Sequence, residues 1–302
     1  MRRNGLVSLV FHTLFIAFIL APLLAVIAVS FTGKGYLSLP TDGLSLRWFR
    51  TILDYPGFID AFWMSLYLGT AASTIAVSVA VPAAIAIGRY EFTGREAVTA
   101  VFLSPLMIPS VVLGVSFLRF FNQIGLSGTF IGITLAHVIM VMPYAIRLVL
   151  ASVTGMPRDA EQAAATLGAS NWTVFRRITL PLILPGIAGG WLLAFITSFD
   201  EVTMSIFVAS PQTMTLPVRM YHHIAQTIDP LIAAISTLLM VGTVALLALV
   251  VLYAVVAVTV ASARLADATA VTHFVFFLLA GLLWVLPAMV LIKWMAGPRP
   301  PR

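Results

Sequence analysis

The sequence predicts an all-α membrane protein, and three observations predict it. Of 302 residues, 61% are hydrophobic and only 9% are charged, against roughly 25% charged in a soluble domain. Apolar stretches long enough to cross a bilayer, which takes about 20 residues, recur along the whole chain. The arginines and lysines are scattered at the ends of those stretches rather than gathered on one face. That scatter argues against nucleic-acid binding despite the net charge of +6.

Seven stretches qualify, at about 6–31, 62–88, 97–121, 129–150, 182–208, 231–262 and 272–295. The first follows Met1-Arg2-Arg3-Asn4. It has the outline of a signal peptide, but its apolar run, Leu6 to Val29, is about 24 residues where a signal core has roughly 7–15, so it reads as a retained membrane helix. Pro105 and Pro109 interrupt the third stretch; such breaks are tolerated where neighbours or water satisfy the backbone. Between the first two stretches, Pro40 to Ile52 carries Leu44, Leu46, Trp48, Phe49 and Ile52, the partial amphipathicity of a short interfacial helix.

Short loops rich in Lys and Arg face the cytoplasm. With the N-terminus inside, the inner segments carry Arg2, Arg3, Arg89, Arg95, Arg147, Arg158, Arg176, Arg177 and Arg264, and the outer ones Lys34, Arg47, Arg50, Arg119 and Arg219. The bias supports a cytoplasmic N-terminus for six spans. It fails at the seventh, whose far end carries Lys293, Arg299 and Arg302.

The inner segment from Met156 to Pro181 reads as helix, turn, helix. Pro157 suits a first turn by its fixed φ and Asp159 by the helix dipole. Glu161 to Leu167 are mostly strong helix formers. Gly168 falls where a helix end wants a left-handed residue, and Ser170 where a second helix wants a cap. Trp172, Phe175 and Ile178 then share one face beside Arg176 and Arg177. An aromatic face on an inner loop either packs on the protein itself or enters a partner's groove.

The run Gln162, Ala163, Ala164, three residues, Gly168, nine residues, Ile178, one residue, Leu180, Pro181 resembles the loop motif of ABC importer permeases of the type I family: Glu-Ala-Ala, three residues, Gly, nine residues, Ile, any residue, Leu-Pro. The one departure is Gln162 in place of the family Glu, with Glu161 just before it. The resemblance implies a six-helix permease core and a coupling helix docked on a separate ATPase through Glu161, Gln162, Ala163, Ala164, Gly168, Ile178, Leu180 and Pro181. It further implies an ATP-binding subunit dimer that carries the ATP and Mg, a second permease subunit, and a periplasmic solute-binding protein. The chain's own sequence lacks a phosphate-binding Gly-x-x-x-x-Gly-Lys-Ser/Thr motif; Gly33-Lys34 has neither the upstream Gly nor the following hydroxyl. A non-enzymatic transport subunit with no cofactor of its own is therefore expected.

Asp200 and Glu201 sit within the fifth apolar stretch, where a carboxylate costs roughly 2.5–3.5 kcal/mol on insertion scales. They either line a hydrated path and attract a cation, or serve structurally by capping a helix or pairing across a subunit interface. Ser198, Phe199, Asp200, Glu201 and Val202, then Ser210, Pro211 and Thr215 to Arg219, then Ile228 to Leu231, resemble the spermidine/putrescine branch of the family. A polyamine substrate and a path through Ser198, Asp200, Glu201 and Tyr144 follow from that resemblance as expectations. His137, Met140 and Met142, around Pro143 on the fourth span, read more readily as packing than as pathway. The adjacent pair His222 and His223 is a poor metal site, because neighbouring side chains on a helix diverge.

The chain is expected to divide into a permease part, 1–240, and a tail, 241–302, that holds the last core helix and an additional hydrophobic helix, with the sixth span a splice between the two. The tail, with its valine-rich run 250–260 and Trp284 and Trp294, resembles a family of very short two-helix bacterial membrane proteins of unknown function. A secondary transporter and a non-transporting membrane scaffold are the competing classes. The first should show inverted repeats, and neither explains the inner loop.

Overall fold

The computed structural model describes residues 5–41 and 43–264, with Thr272 and Phe276 beyond them. Among these residues the chain is helices and connections only. In order they are α1 (Leu6–Ser30), α2 (Arg47–Asp54), α3 (Pro56–Arg89), α4 (Arg95–Leu103), α5 (Ser110–Gln123), α6 (Phe130–Gly155), α7 (Asp159–Thr166), α8 (Asn171–Val174), α9 (Leu180–Phe199), α10 (Ser205–Val208), α11 (Leu216–Gln226) and α12 (Leu231–Arg264). The seventh hydrophobic stretch, 272–295, with Trp284, Lys293 and Trp294, lies outside the described residues.

Among the described residues, five helical runs are long and apolar enough to cross a membrane: Leu6–Ser30, Gly57–Arg89, Phe130–Gly155, Asn171–Phe199 and Leu231–Ala263. The expected third span is not one helix. α4, a 3-10 turn over Ser104–Met107 and α5 meet at a bend of 103°. Pro105 and Pro109 cause it. Neither has an N–H to give, and the residue before a proline is pushed out of the helical region; Ile108 is accordingly extended, at φ −97° and ψ 127°. If this bent pair is one broken span, the spans among the described residues number six.

The chain forms two compact units, Asp60–His222 and Met1–Ile59 with His223–Arg302. The expected division at 240/241 falls inside α12, a single continuous helix.

In the Asp60–His222 unit the core is organised on α6. Its Ile133, Ala136, Val141, Ala145, Val149 and Val153 are fully buried, a stripe at helical spacing. α9 lies against α6, and glycine permits the approach. A Cβ on Gly190 would stand 3.2 Å from the Ala145 carbonyl oxygen, and one on Gly186 would collide with the Ser152 side chain. Small residues four apart are how membrane helices bring backbones together where the hydrophobic effect cannot. Gly186 and Gly190 are therefore a packing signal that the sequence reading passed over.

Two expectations about α9 change. The second inner helix does not close before the span: α8, a π turn over Phe175–Thr179 and α9 are one run. Pro181 would otherwise drive its ring into the carbonyl of Arg177, and the wider π turn accommodates it. The run also stops at Phe199, short of the expected 208. Asp200 and Glu201 thus lie past a helix end, not within a helix.

In the other unit α12 packs on α1 and α2. The short amphipathic helix expected within Pro40 to Ile52 corresponds to α2, which starts at Arg47 and runs to Asp54. Trp48 and Ile52 are buried, and the Trp48 indole donates to the Lys34 carbonyl at 3.2 Å. Asp229 starts α12 by accepting from the Leu231 N–H at 3.0 Å and pairs with His223 at 3.1 Å. His223 of the His222–His223 pair is thus taken up by a helix-capping carboxylate. α12 has 34 residues, about 51 Å at 1.5 Å each, against about 30 Å of hydrocarbon.

Candidate functional site

The break between α9 and α10 opens onto a cleft of about 510 Å³. Its walls come from three places. The bent segment supplies Pro105, Leu106, Ile108 and Ser110; α6 supplies Met140 and Tyr144; the end of α9 and the break supply Ile196, Thr197 and the four residues Asp200 to Thr203. Two helix interruptions thus face one cavity, and irregular backbone at membrane depth is tolerated where it lines such a space. Among the described residues, two carboxylates and no basic side chain line it.

The carboxylates have different jobs. Glu201 turns into the break: its oxygens accept from the Met204 N–H at 2.9 and 3.1 Å, the Ser205 N–H at 2.9 Å and the Ser205 hydroxyl at 3.0 Å. Those amides open α10 and would otherwise be orphaned. The structural alternative weighed for Glu201 is what its contacts describe, although it also lines the cleft. Asp200 is exposed, and among the described residues its carboxylate has no hydrogen bond or ion pair.

Tyr144 lines the cleft, half-buried. Ser198 does not. It is 2% exposed and turned to α6, where its hydroxyl lies 2.8 Å from His137 Nδ1. The expected path therefore loses Ser198 as a wall residue, because the last turn of α9 points it at the core. Met140 reaches the cleft, whereas Met142 is core. The sequence reading missed Thr197, Thr203 and the Pro105–Ser110 wall. The signal was present in the paired interruptions at 105–109 and 199–204, which lacked only a register.

The inner loop is tied to the end of α3. Arg158 donates to the Arg89 carbonyl at 3.0 Å, and Arg89 donates to the Met156 carbonyl at 3.2 Å. Basic groups there satisfy the last carbonyls of a helix. Glu161 points inward. It accepts from the Thr179 hydroxyl at 2.6 Å and stands 3.4 Å from Arg89 Nε. Glu161 is thus engaged within the chain, since α7 places that position against Arg89 at the end of α3 and Thr179 in the π turn.

Among the residues the loop presents outward are Gln162, Ala163, Leu167 and Trp172, the last two 88% and 67% exposed. Ala164, Ile178 and Leu180 are half-buried and Pro181 is exposed. Gly168 has φ +83° with open space around it. The Ala169 N–H closes on the Ala164 carbonyl at 3.0 Å, and Ser170 caps α8 by accepting from the Thr173 N–H at 3.3 Å.

Comparison with known proteins decides the family. Residues 80–267 match the family described as "Binding-protein-dependent transport system inner membrane component". The chain is 33% identical over 247 residues to the spermidine/putrescine transport system permease protein PotC of Haemophilus influenzae, covering 82% of this chain and 94% of that one. The chain belongs to the binding-protein-dependent transport permeases. The permease is also 32% identical over 230 residues to the putrescine transport system permease protein PotI of Escherichia coli K12, covering 74% and 82% of the two. Among solved structures its fold resembles that of a bacterial ABC transporter involved in the import of the acidic polysaccharide alginate, with TM-score 0.62 at 15% identity, over 83% of this permease and 94% of that chain. This multi-pass all-α permease therefore has the fold of ABC importer subunits. Residues 240–298 match a second family, "Protein of unknown function (DUF2842)". The two matches overlap on α12.

Proposed function

We propose that this permease carries a small organic polycation, of the spermidine or putrescine kind, across the inner membrane, with Asp200 as its contact in the cleft. The observation that supports the substrate class is the Asp200 carboxylate, exposed in a cleft that no basic side chain lines. The names of PotC and PotI give the same class. Asp200 attracts an ammonium group, and Tyr144, which lines the same cleft, adds an aromatic ring of the kind that attracts cations.

Energy enters elsewhere. The outward residues Gln162, Ala163, Leu167 and Trp172 form the face for a separate ATPase, which holds ATP and Mg. Glu161, Arg89, Arg158 and Thr179 transmit the displacement of that face to the inner ends of α3 and α9. A second permease subunit completes the pathway, and a periplasmic binding protein delivers the solute. Alternating access follows when ATPase closure moves the loop and the helix ends tied to it.

The test is uptake by the assembled importer in proteoliposomes. Asp200→Asn raises the KM for putrescine roughly tenfold, the order expected for one partly hydrated charge contact, and leaves complex assembly intact. Saturable uptake of an uncharged or anionic solute in preference to polyamines would overturn the substrate class. Uptake without any ATPase would overturn the family mechanism.

A further inference from the structure

We infer that His137 is a positioning residue that sets where Asp200 stands in the cleft. This rests on the reading of Asp200 as a solute-facing carboxylate.

His137 comes from the middle of α6 and is fully buried. Its two ring nitrogens reach opposite sides of the α9–α10 break. Nδ1 lies 2.8 Å from Ser198 Oγ, on the last turn of α9, and Nε2 lies 3.0 Å from Ser205 Oγ, at the first residue of α10. Between those hydroxyls run six residues, 199–204, that include Asp200. The imidazole is thus a staple across the base of the loop.

The direction of the hydrogen bonds follows from counting protons. Ser205 has one hydroxyl proton and gives it to Glu201 at 3.0 Å, so toward His137 its oxygen accepts, and Nε2 carries the ring proton. Nδ1 of that tautomer accepts from the Ser198 hydroxyl. The chain runs one way, Ser198 to His137 to Ser205 to Glu201, and ends on the carboxylate that also collects the Met204 and Ser205 amides. Every polar atom of the buried chain is used. Removing the ring takes the acceptor from the buried Ser198 hydroxyl and leaves Ser205 bonded to Glu201 alone, so the two sides of the break are no longer joined. The loop then relaxes, and Asp200 moves with it. Displacements of about 1 Å at a positioned group change rates by as much as about a hundredfold.

The chain has no cysteine, which allows a test on the loop itself. Thr203 is exposed and lines the cleft. Thr203→Cys in the assembled importer is treated with cationic and with anionic methanethiosulfonate reagents, and modification of this chain is read by intact mass. A carboxylate on the same cleft wall favours the cationic reagent over the anionic one, by an amount on the order of tenfold. Asp200→Asn reduces that preference to the part that Glu201 supplies. The proposal expects His137→Leu and Ser198→Ala to shrink it several-fold, and His137→Gln, whose amide carries an acceptor beside a donor, to restore most of it. In uptake, His137→Leu raises the KM for putrescine about tenfold on Asp200 and leaves it unchanged on Asp200→Asn. A preference untouched by His137→Leu and Ser198→Ala overturns the inference. So does a KM effect of His137→Leu that persists in full on Asp200→Asn. If the labelling preference falls as expected while Asp200→Asn transports normally, the positioning stands and the substrate contact fails.

Discussion

Replacing Glu161 by alanine should loosen the inner loop by a calculable amount. The carboxylate stands 3.4 Å from Arg89 Nε, with side-chain exposures of 19% and 10%. At an effective dielectric near 20, unit charges at that distance attract by about 5 kcal/mol. Much of that is lost to desolvating a half-hidden pair, and exposed pairs retain only about 0–1 kcal/mol. The pair also lacks hydrogen-bond geometry, since Arg89 Nε is buried without a hydrogen-bond partner. The 2.6 Å bond from Thr179 adds that of a donor to a charged acceptor, about 1.5 kcal/mol. A net loss of about 1–2 kcal/mol is expected, a factor of roughly 5–30 in the local opening equilibrium. Amide hydrogen exchange over Asp159–Thr166 in the assembled importer measures it. Protection should fall by that factor in Glu161→Ala and by less in Glu161→Gln, whose amide oxygen still accepts from Thr179. Arg89→Ala and Glu161→Ala should together cost less than the two separately, because they share one contact. Unchanged protection in Glu161→Ala, or strict additivity of the pair, would refute the reasoning.

Two further substitutions follow from close geometry. Gly186→Val places a side chain where the Ser152 hydroxyl and Leu148 carbonyl already sit, and overpacking of about 1–3 kcal/mol should lower the yield of monodisperse protein in size-exclusion chromatography; Gly189→Ala, whose Cβ would meet the Leu148 side chain at 3.8 Å, should not. Gly168→Val strains φ +83° without any clash, at about 1–2 kcal/mol, and should weaken co-purification of the ATPase more than Gly168→Asn does, with folding intact. Asp at both Ala163 and Ala164 should abolish that co-purification while leaving the permease folded, since Ala163 is exposed and Ala164 half-buried.

The inner loop was legible in detail. A glycine at a helix end, a serine at a cap and small residues at fixed spacing each carry local backbone chemistry, and local chemistry is written in local sequence. The apolar stretches were legible for the same reason, because a span must satisfy its own backbone hydrogen bonds. Side-chain direction was not. Glu161 reads as outward-facing on α7 until the register of α7 against α3 is known, and one residue's rotation separates it from exposed Gln162. Ser198 and Asp200 are two residues apart, yet one enters the core and the other the cleft, because α9 ends between them. His137 read as packing, and only the meeting of α6 with both sides of the α9–α10 break showed what it packs on.

By itself the sequence determined that this is a multi-span helical membrane protein with a structured inner loop. Composition, hydrophobic run length and cap residues act over a few turns of helix. Which hydroxyls the buried histidine bridges depends on contacts between residues 61 to 68 positions apart. No local pattern encodes such contacts, and only the packed helices decided them.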